Sequence, residues 1–257
     1  MITQNKKLLF RSSLVLLITI VFVSLIYVIK FHLTQKTVIK PIVIGKTINS
    51  SIGKIKYPFT KDGQKIAYLT FDGGPSSNVT PEVLNILKSY NTKATFFVNG
   101  KNSISNSDVL IRAKRSGNQI ALRSFDTNYK NLYINPQNYL QDLKESNDVI
   151  STILGGNNFQ QHLIRFPGGS NMVSSTFRQT IAKSGYNYVD WNVDSFDSLE
   201  TSSSGYSNIV DRVKISCRNK DHIVILMHDD YNCKATLKAL PQIIEYLLKG
   251  GYTFKIL

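Results

Sequence analysis

The chain has 257 residues, of which 42% are hydrophobic and 19% charged. This composition excludes disorder throughout and fits one globular domain with a small additional segment. The formal net charge of +14 at first suggests a nucleic acid partner. However, nine Lys or Arg and no acidic residue lie in residues 1–60. A protein that binds nucleic acid would carry this charge on its folded domain, and no recognition motif is present, so we expect no nucleic acid partner. A basic N-terminal segment next to an apolar one is instead typical of proteins attracted to an anionic membrane or cell-wall surface.

An uncharged stretch of 18 residues, 12–29, lies between Arg11 and Lys30. As a helix it would span roughly 27 Å, close to the hydrocarbon thickness of a bilayer. It shows no amphipathic period, which disfavours a buried core helix, and no small-residue cleavage site follows it, which disfavours a signal peptide. The stretch therefore predicts an uncleaved transmembrane anchor in contact with membrane lipid.

This anchor divides the chain into four predicted segments. Residues 1–11 are a short cytoplasmic leader, 12–29 the anchor, 30–60 a basic stalk and 61–257 the folded domain. Lysines flank the apolar stretch on both sides, so the positive-inside rule does not set its orientation. A leader this short usually stays in the cytoplasm, and we expect a single-pass protein of the cell membrane with an extracytoplasmic domain.

Beyond Asp62, short β-branched or aromatic runs alternate with stretches of helical spacing. The predicted strands are 66–71, 94–98, 119–122, 162–166, 186–193, 223–227 and 252–256. The predicted helices lie near 80–90, 106–116, 136–154, 173–184, 206–218 and 235–249. This alternation indicates an α/β fold with a mainly parallel sheet, long enough for a closed or nearly closed barrel but too short for a full eightfold one.

The chain has two cysteines, Cys217 and Cys233. If the first ends a helix and the second follows the next strand, they lie near opposite ends of that strand. A strand of this length covers roughly 20 Å, which is beyond disulfide reach. We therefore expect two unpaired thiols.

Ionisable residues follow the predicted strands, at the end where parallel α/β folds place their chemistry. They are Asp72, Arg123, Arg165, Asp194, Asp197 and His228. An acid after a strand is most often a helix cap, but the convergence of several such groups at one rim predicts general acid and base chemistry. The other histidines lie in the predicted stalk or at the opposite strand ends, so a histidine-rich zinc site cannot be assembled.

The chain from about Ile66 to Leu257 resembles the polysaccharide deacetylases of the NodB-homology type, carbohydrate esterase family 4. The resemblance rests on the order of Thr-Phe-Asp-Gly-Gly-Pro at 70–75, Arg-Ser-Phe-Asp-Thr at 123–127, Arg-Phe-Pro-Gly-Gly-Ser at 165–170, Trp-Asn-Val-Asp-Ser-Phe-Asp at 191–197 and Leu-Met-His at 226–228. It implies a distorted (β/α) barrel of about seven strands and metal-dependent hydrolysis of N-acetyl groups on amino sugars.

The resemblance assigns roles to the residues that match the family motifs. Asp72 would be the catalytic base, His228 the catalytic acid and Arg165 a partner of the base. Asp197 would orient the histidine, with Asp194 as the second choice. The substrate site would include Gly168, Trp191 and Leu226, the last in the pocket for the acetyl methyl group.

The three metal-ligand positions of the family hold other residues here. Gly73 stands in place of an aspartate, and Arg123 and Thr127 stand in place of two histidines. The family uses zinc or another divalent metal, but with these residues we expect no ordinary divalent site and no cofactor. Asp126 is predicted to point away from the face that Arg123 and Thr127 share. Arg123 is either a charge partner for Asp72 or an oxyanion stabiliser in place of the metal.

Two functions from different classes follow. In the first, the chain is a membrane-anchored cell-envelope pseudo-enzyme that binds, or once processed, an N-acetylated glycan such as peptidoglycan, and it is impaired because the metal ligands are absent. In the second, it is an active carbohydrate N-deacetylase, a hydrolase of non-peptide C–N bonds, with an atypical or metal-free site. The retained acid and base residues disfavour a decayed gene product without a task.

Overall fold

The computed structural model describes residues 57–59, 61–126, 129–156, 159–200 and 202–257. The chain divides into two units, Met1–Asn49 and Ser50–Leu257, and all described residues belong to the second. The predicted leader and anchor, and nearly all of the predicted stalk, lie outside the described residues. Within the described ranges, no helix has both the length and the apolar character needed to cross a bilayer.

Eight parallel strands form one sheet in the described part of the chain. Their bounds are β1 Ile66–Asp72, β2 Thr95–Asn99, β3 Gln119–Ser124, β4 Leu163–Ile164, β5 Asn187–Tyr188, β6 Val193–Asp194, β7 His222–His228 and β8 Thr253–Phe254. The order is β5-β4-β3-β2-β1-β7-β6, and β8 pairs with the start of β1. All seven residues of β1 are buried, which explains why its apolar run does not alternate with polar residues.

The seven strands of this order curl into a parallel half-barrel that is open between β5 and β6. This confirms the predicted parallel α/β architecture. The single strand predicted over 186–193 is wrong, because the chain leaves the sheet after Tyr188 and rejoins it at Val193. Asn192 explains the break: its Oδ1 accepts from Val224 N at 2.8 Å, and its Nδ2 donates to His222 O at 2.9 Å. A side chain here takes over contacts that a strand backbone would make.

Helices connect the strands. They are α1 Thr80–Ser89, α2 Gly100–Ser105, α3 Ser107–Arg115, α4 Tyr129–Leu132, α5 Pro136–Ile153, α6 Ser175–Lys183, α7 Tyr206–Ser216 and α8 Lys234–Lys249. The six predicted helices are all present, with ends that differ by a few residues. The short helices α2 and α4 were not predicted, because four to six residues are too few to show helical spacing.

The core joins the sheet to the helices and positions the carboxyl ends of the strands. The ring of Tyr139 in α5 packs at a tilt of 33° against the Phe166 ring, with 5.3 Å between the ring centroids. The Tyr139 hydroxyl donates to Arg123 O at 2.9 Å. On the other side of the sheet, Phe59 and Leu257 pack against small buried clusters. The aromatic core of α5 thus fixes the backbone of a candidate site residue.

Cys217 and Cys233 are both buried and are not joined in a disulfide. Cys217 follows the last residue of α7, and Cys233 precedes the first residue of α8, with β7 between them. Burial raises the pKa of the Cys217 thiol to about 11. A buried thiol with a raised pKa is a weak nucleophile, so Cys217 is a core residue rather than a reactive one.

Candidate functional site

Asp72 is a buried carboxylate at the end of β1, and two arginines contact it. Arg165 Nη1 donates to Asp72 Oδ1 at 2.8 Å, and Arg123 Nε lies 3.4 Å from Asp72 Oδ2. The Arg165 side chain is fully buried, and that of Asp72 is 4% exposed. Because bulk water does not solvate these charges, each depends on its partners for compensation.

Arg165, which directly follows β4, has contacts on several sides. Its Nη1 also donates to Thr70 Oγ1 at 2.7 Å, and its Nε donates to Val189 O at 3.2 Å. The guanidinium carbon lies 4.0 Å from the centroid of the Phe97 ring. Burial lowers the pKa of Arg165, and the charge of Asp72 opposes that shift. Arg165 is therefore a fixed cation that orients Asp72.

His228 ends β7 and lies beside Asp72 in the strand register. Its Nδ1 is 2.8 Å from Asp197 Oδ1, and its backbone N donates to Asp197 Oδ2 at 2.7 Å. Thr236 Oγ1 donates to the same Oδ2 at 2.7 Å. Burial lowers the pKa of His228, but the hydrogen bond and charge of Asp197, with the charge of Asp72, outweigh burial and raise the pKa above its ordinary value. A raised pKa favours the protonated ring, as a general acid requires.

Asp194 has different partners from Asp197. Its Oδ2 accepts from Trp191 Nε1 at 3.2 Å, and its Oδ1 accepts from Phe196 N at 2.8 Å. Phe196 adopts a left-handed φ of 52°, which turns the chain between the two aspartates. The structure thus brings Asp197, and not Asp194, to the histidine.

Gly73 is the residue after Asp72 and has a φ of +92°. A Cβ atom at Gly73 would lie 3.7 Å from Asp230 Oδ2 and 4.0 Å from Arg123 Nη1. The Gly73 carbonyl accepts from Asn102 Nδ2 at 2.7 Å. A side chain at position 73 would therefore face the Arg123 guanidinium and the Asp230 carboxylate.

The described residues around Asp72 do not fit a divalent metal. Within the described ranges, no group of three or more His, Cys, Asp or Glu side chains is arranged to hold a metal ion. The Arg123 guanidinium is beside the Asp72 carboxylate and would repel a second cation. Thr127 lies outside the described residues, so only its motif locates it. The carboxylate of Asp126, the neighbouring residue, accepts a hydrogen bond from Lys101 Nζ at 2.9 Å.

A cleft of about 590 Å³ opens at the carboxyl ends of the strands, a volume typical of small-ligand sites. It is lined by Asp72, Gly73, Asn102, Arg123, Gly168, Trp191, Ser198, Leu226, His228, Asp230, Tyr231 and Asn232. All three candidate substrate-binding residues are in this lining, together with the candidate base and acid. Arg165 and Asp197 are buried beside the lining residues that they contact.

Several contributors were not predicted from the sequence. Thr70 begins the motif at 70–75, and Asp230 lies two residues after the motif at 226–228. Their closeness in sequence to these motifs is a signal that could have placed both residues at the site. Asn102 and Thr236 belong to helices α2 and α8 and to no motif. Only the fold brings Asn102 into contact with Gly73 and Thr236 into contact with Asp197.

Another buried carboxylate, that of Asp229, joins the loops after β1 and β7. Gly74 N donates to its Oδ1 at 2.9 Å, and Thr80 Oγ1 donates to its Oδ2 at 2.7 Å. Burial raises the pKa of Asp229 to about 7. A Cβ atom at Gly74 would lie 2.2 Å from Asp229 Oδ2, so glycine is required here for the two loops to approach.

Replacement of His228 by Asn is expected to remove a pH-dependent part of the stability. A histidine whose pKa is raised by folding stabilises the protein fully below its unfolded pKa, near 6.5, and this contribution is lost as the pH rises through the folded pKa. The free energy of unfolding should therefore differ between the unmodified chain and His228→Asn by about 1–2 kcal/mol at pH 5.5. Urea unfolding of both proteins at pH 5.5 and at pH 9 measures this difference, which should be smaller at pH 9. An equal difference at the two pH values would contradict the raised pKa of His228.

Comparisons with known proteins agree with this fold. The profile of the family described as polysaccharide deacetylase matches residues 60–189. The protein YheN of Bacillus subtilis strain 168 is 34% identical over 213 residues, which are 79% of this chain and 71% of YheN. A peptidoglycan-N-acetylglucosamine deacetylase of Bacillus cereus is 32% identical over 201 residues, 77% of this chain and 71% of that protein.

A solved structure shows the same likeness. The polysaccharide deacetylase Bc1974 of Bacillus cereus superposes with a TM-score of 0.69 at 32% identity, over 76% of this chain and 92% of its own. Sequence and structure agree over the folded unit that carries the cleft. The chain therefore belongs to the polysaccharide deacetylase family.

Proposed function

We propose that the chain is a membrane-anchored cell-envelope protein whose cleft binds N-acetylated glycan of the peptidoglycan type, and that its hydrolytic activity is impaired. The substrate class is supported by a relative that bears the name peptidoglycan-N-acetylglucosamine deacetylase. The extracytoplasmic location is supported by the uncharged stretch 12–29 and by the wall polymer that such a substrate implies.

The contact between Arg123 and Asp72 is the observation that carries the proposed impairment. In the family mechanism, a metal polarises the acetyl carbonyl and lowers the pKa of the attacking water. Here a guanidinium stands 3.4 Å from the base carboxylate, and Gly73 offers no side chain. A guanidinium can stabilise an anion, but it cannot bind water as a Lewis acid and convert it to hydroxide.

The remaining residues of the cleft support the proposed recognition of a glycan. Asp72, held by Arg165, can accept a proton from a water or hydroxyl group in the cleft. His228, held by Asp197, can donate a proton to an amide nitrogen. Trp191 lines the cleft, where its aromatic ring can contact a sugar. These groups suit recognition of an N-acetyl sugar without requiring its hydrolysis.

An active, metal-free deacetylase is the second candidate. Arg123 favours it, because this cation lines the same cleft as Asp72 and His228 and could stabilise an oxyanion on the acetyl carbon. The two functions differ in one measurable respect. A binding protein retains its glycan and releases no acetate, whereas an N-deacetylase hydrolyses the acetylated form and releases acetate.

The full chain in detergent is expected to release no acetate from N-acetylglucosamine oligomers or peptidoglycan, with or without zinc or cobalt. It is expected to bind the acetylated oligomers, and its single Trp, Trp191, reports this by fluorescence because it lines the cleft. Leu226→Ala should weaken binding about tenfold by removing apolar contact with the acetyl group. Deacetylated oligomers and Leu237→Ala, a substitution outside the cleft lining, are the controls.

Each outcome of these assays bears on one part of the proposal. Acetate release that requires added metal would overturn the impairment. Acetate release without metal that is lost in Asp72→Asn would favour the second candidate. A fluorescence response that is absent, or equal for acetylated and deacetylated oligomers, would contradict recognition of the acetyl group.

A further inference from the structure

The end of the sheet opposite the cleft carries an excess of positive charge. We define this amino face as the residues at the amino ends of the strands, the last turns of the helices, and β8 with residues 255–256, because β8 pairs with the start of β1. Five helices end in a basic turn, which contains Lys88 in α1, Arg112 with two neighbouring cations in α3, Lys183 in α6, Lys214 in α7 and Lys249 in α8. None of these turns contains an acid, and Glu245, in the preceding turn of α8, accepts from the Tyr90 hydroxyl.

Loops add further cations to the amino face. Lys65 directly precedes β1, Lys93 lies just before β2 and Lys255 follows β8, and all three are exposed. Lys65 Nζ donates to the backbone carbonyl Gly250 O at 2.9 Å. This acceptor is neutral, so the bond does not compensate the charge of Lys65 as a carboxylate would. Two acids lie on this face as well. Asp62 contacts His222 at 2.8 Å, and Asp221 directly precedes β7.

Ion pairs do not neutralise this charge. Among the described residues, no cation of the amino face lies within 4.0 Å of a carboxylate oxygen, whereas Lys101 and Arg212, on the cleft side, pair with Asp126 and Glu200. Interaction with the helix dipole favours cations in last turns. It does not account for Lys65, Lys93 and Lys255, which lie outside the helices.

Exposed apolar residues lie among these cations. Leu248 is 50% exposed, Ile256 40% and Ile215 60%. Each is adjacent in sequence to a lysine of the amino face, namely Lys249, Lys255 and Lys214. Apolar side chains set among lysines are typical of surfaces that bind the interface of an anionic bilayer.

The chain enters β1 at this face. Lys61 is exposed, and four residues later Lys65 leads into the amino end of β1. The preceding residues, 30–60, contain six lysines and no acid. The positive charge of the amino face is therefore continuous in sequence with that of the segment that leads to the predicted anchor.

We propose that the amino face docks onto the surface of a bilayer rich in anionic phospholipid, a contact separate from any membrane-spanning segment. Docking at this face orients the cleft, at the opposite ends of the strands, away from the lipid and toward the cell wall. The proposal holds whether the cleft binds or hydrolyses glycan.

Residues 50–257 suffice for the test, because they form a compact unit with a continuous core, and the solved Bc1974 chain consists almost wholly of the matching domain. This segment is expected to sediment with vesicles of phosphatidylcholine and phosphatidylglycerol in a 70:30 ratio at 0.05 M salt. It should not sediment with pure phosphatidylcholine vesicles, and 0.5 M salt should release it, because salt screens exposed charges.

Two variants of equal charge change separate docking from net charge. Lys249→Glu/Lys255→Glu, on the amino face, is expected to weaken vesicle binding at least tenfold. Lys234→Glu/Lys238→Glu, at the cleft end of α8, should weaken it less than threefold, since both lysines are exposed but about 20 Å away along the helix. Circular dichroism and thermal unfolding verify that both variants are folded.

Equal loss in the two variants would overturn the proposal, because a non-specific charge effect would then explain binding. Binding to neutral vesicles that is unaffected by salt would also overturn it. Binding of the segment to soluble polyphosphate but to no vesicle would overturn the proposal too, because the amino face would then bind an anionic wall polymer and not lipid. Selective loss in the amino-face variant supports it.

Discussion

A variant that carries Gly73→Asp, Arg123→His and Thr127→His is expected to bind zinc and to release acetate from N-acetylglucosamine oligomers at least a hundredfold faster than the unmodified chain. The three changes supply one carboxylate and two imidazoles, a ligand set that suits zinc. They also remove the guanidinium beside Asp72. A bound metal contributes several kcal/mol to transition-state stabilisation, and a hundredfold gain in rate corresponds to about 2.7 kcal/mol.

The same triple change in an Asp72→Asn background is the matched control. It should bind zinc with equal stoichiometry, measured by elemental analysis, and release no acetate, because the base is missing. Gly73 has a φ of +92°, so an aspartate there costs about 1–2 kcal/mol of backbone strain. The double variant Arg123→His/Thr127→His avoids this strain and should bind zinc more weakly.

Stoichiometric zinc without acetate release in the triple variant would contradict the proposal that the replaced ligands cause the impairment. The cause would then lie elsewhere in the cleft, for example in Ser198 or in the loop that carries Asp230. Metal-stimulated release by the unmodified chain would contradict the proposal more directly.

Replacement of Arg165 by Met is expected to lower the free energy of unfolding by about 3–5 kcal/mol, because it leaves the buried Asp72 carboxylate without its closest partner. The loss includes the bonds from Arg165 to Thr70 and Val189. The double variant Asp72→Asn/Arg165→Met removes both charges and should be more stable than Arg165→Met alone. Urea unfolding at pH 7 measures all four members of the cycle.

The exposed pair of Lys144 and Asp148 provides the control cycle. These side chains also contact each other at 2.7 Å but are 67% and 59% exposed. Their removal should change the free energy of unfolding by less than about 1 kcal/mol. An Arg165→Met variant as stable as the unmodified chain would show that Arg123 alone compensates Asp72.

The sequence predicts much of this fold because its strands and helices carry strong local signals. The continuous apolar run of 66–71 and the helical spacing near 136–154 correspond closely to β1 and α5. The break at 189–192 could not be predicted, because it depends on hydrogen bonds from Asn192 to the backbone of a strand about thirty residues later. Local propensity carries no information about such a partner.

The candidate site likewise combines residues that the sequence predicts with contacts that it does not predict. Residues at the ends of strands, such as Asp72, Arg165 and His228, are predictable because parallel strands bring their carboxyl ends to one rim. The separation of Asp197 from Asp194 depends on the left-handed turn at Phe196. Thr236 depends on how α8 packs beside β7. Contacts of these kinds arise from tertiary packing, and the motifs alone do not predict them.

The opening of the half-barrel between β5 and β6 affects how the protein avoids self-association. An open sheet exposes unpaired backbone amides at its edges, and a long exposed edge is a template for strand pairing between molecules. Here the edge strands Asn187–Tyr188 and Val193–Asp194 are only two residues long. The fold can therefore leave its sheet open for a cleft without offering a second molecule an edge on which to aggregate.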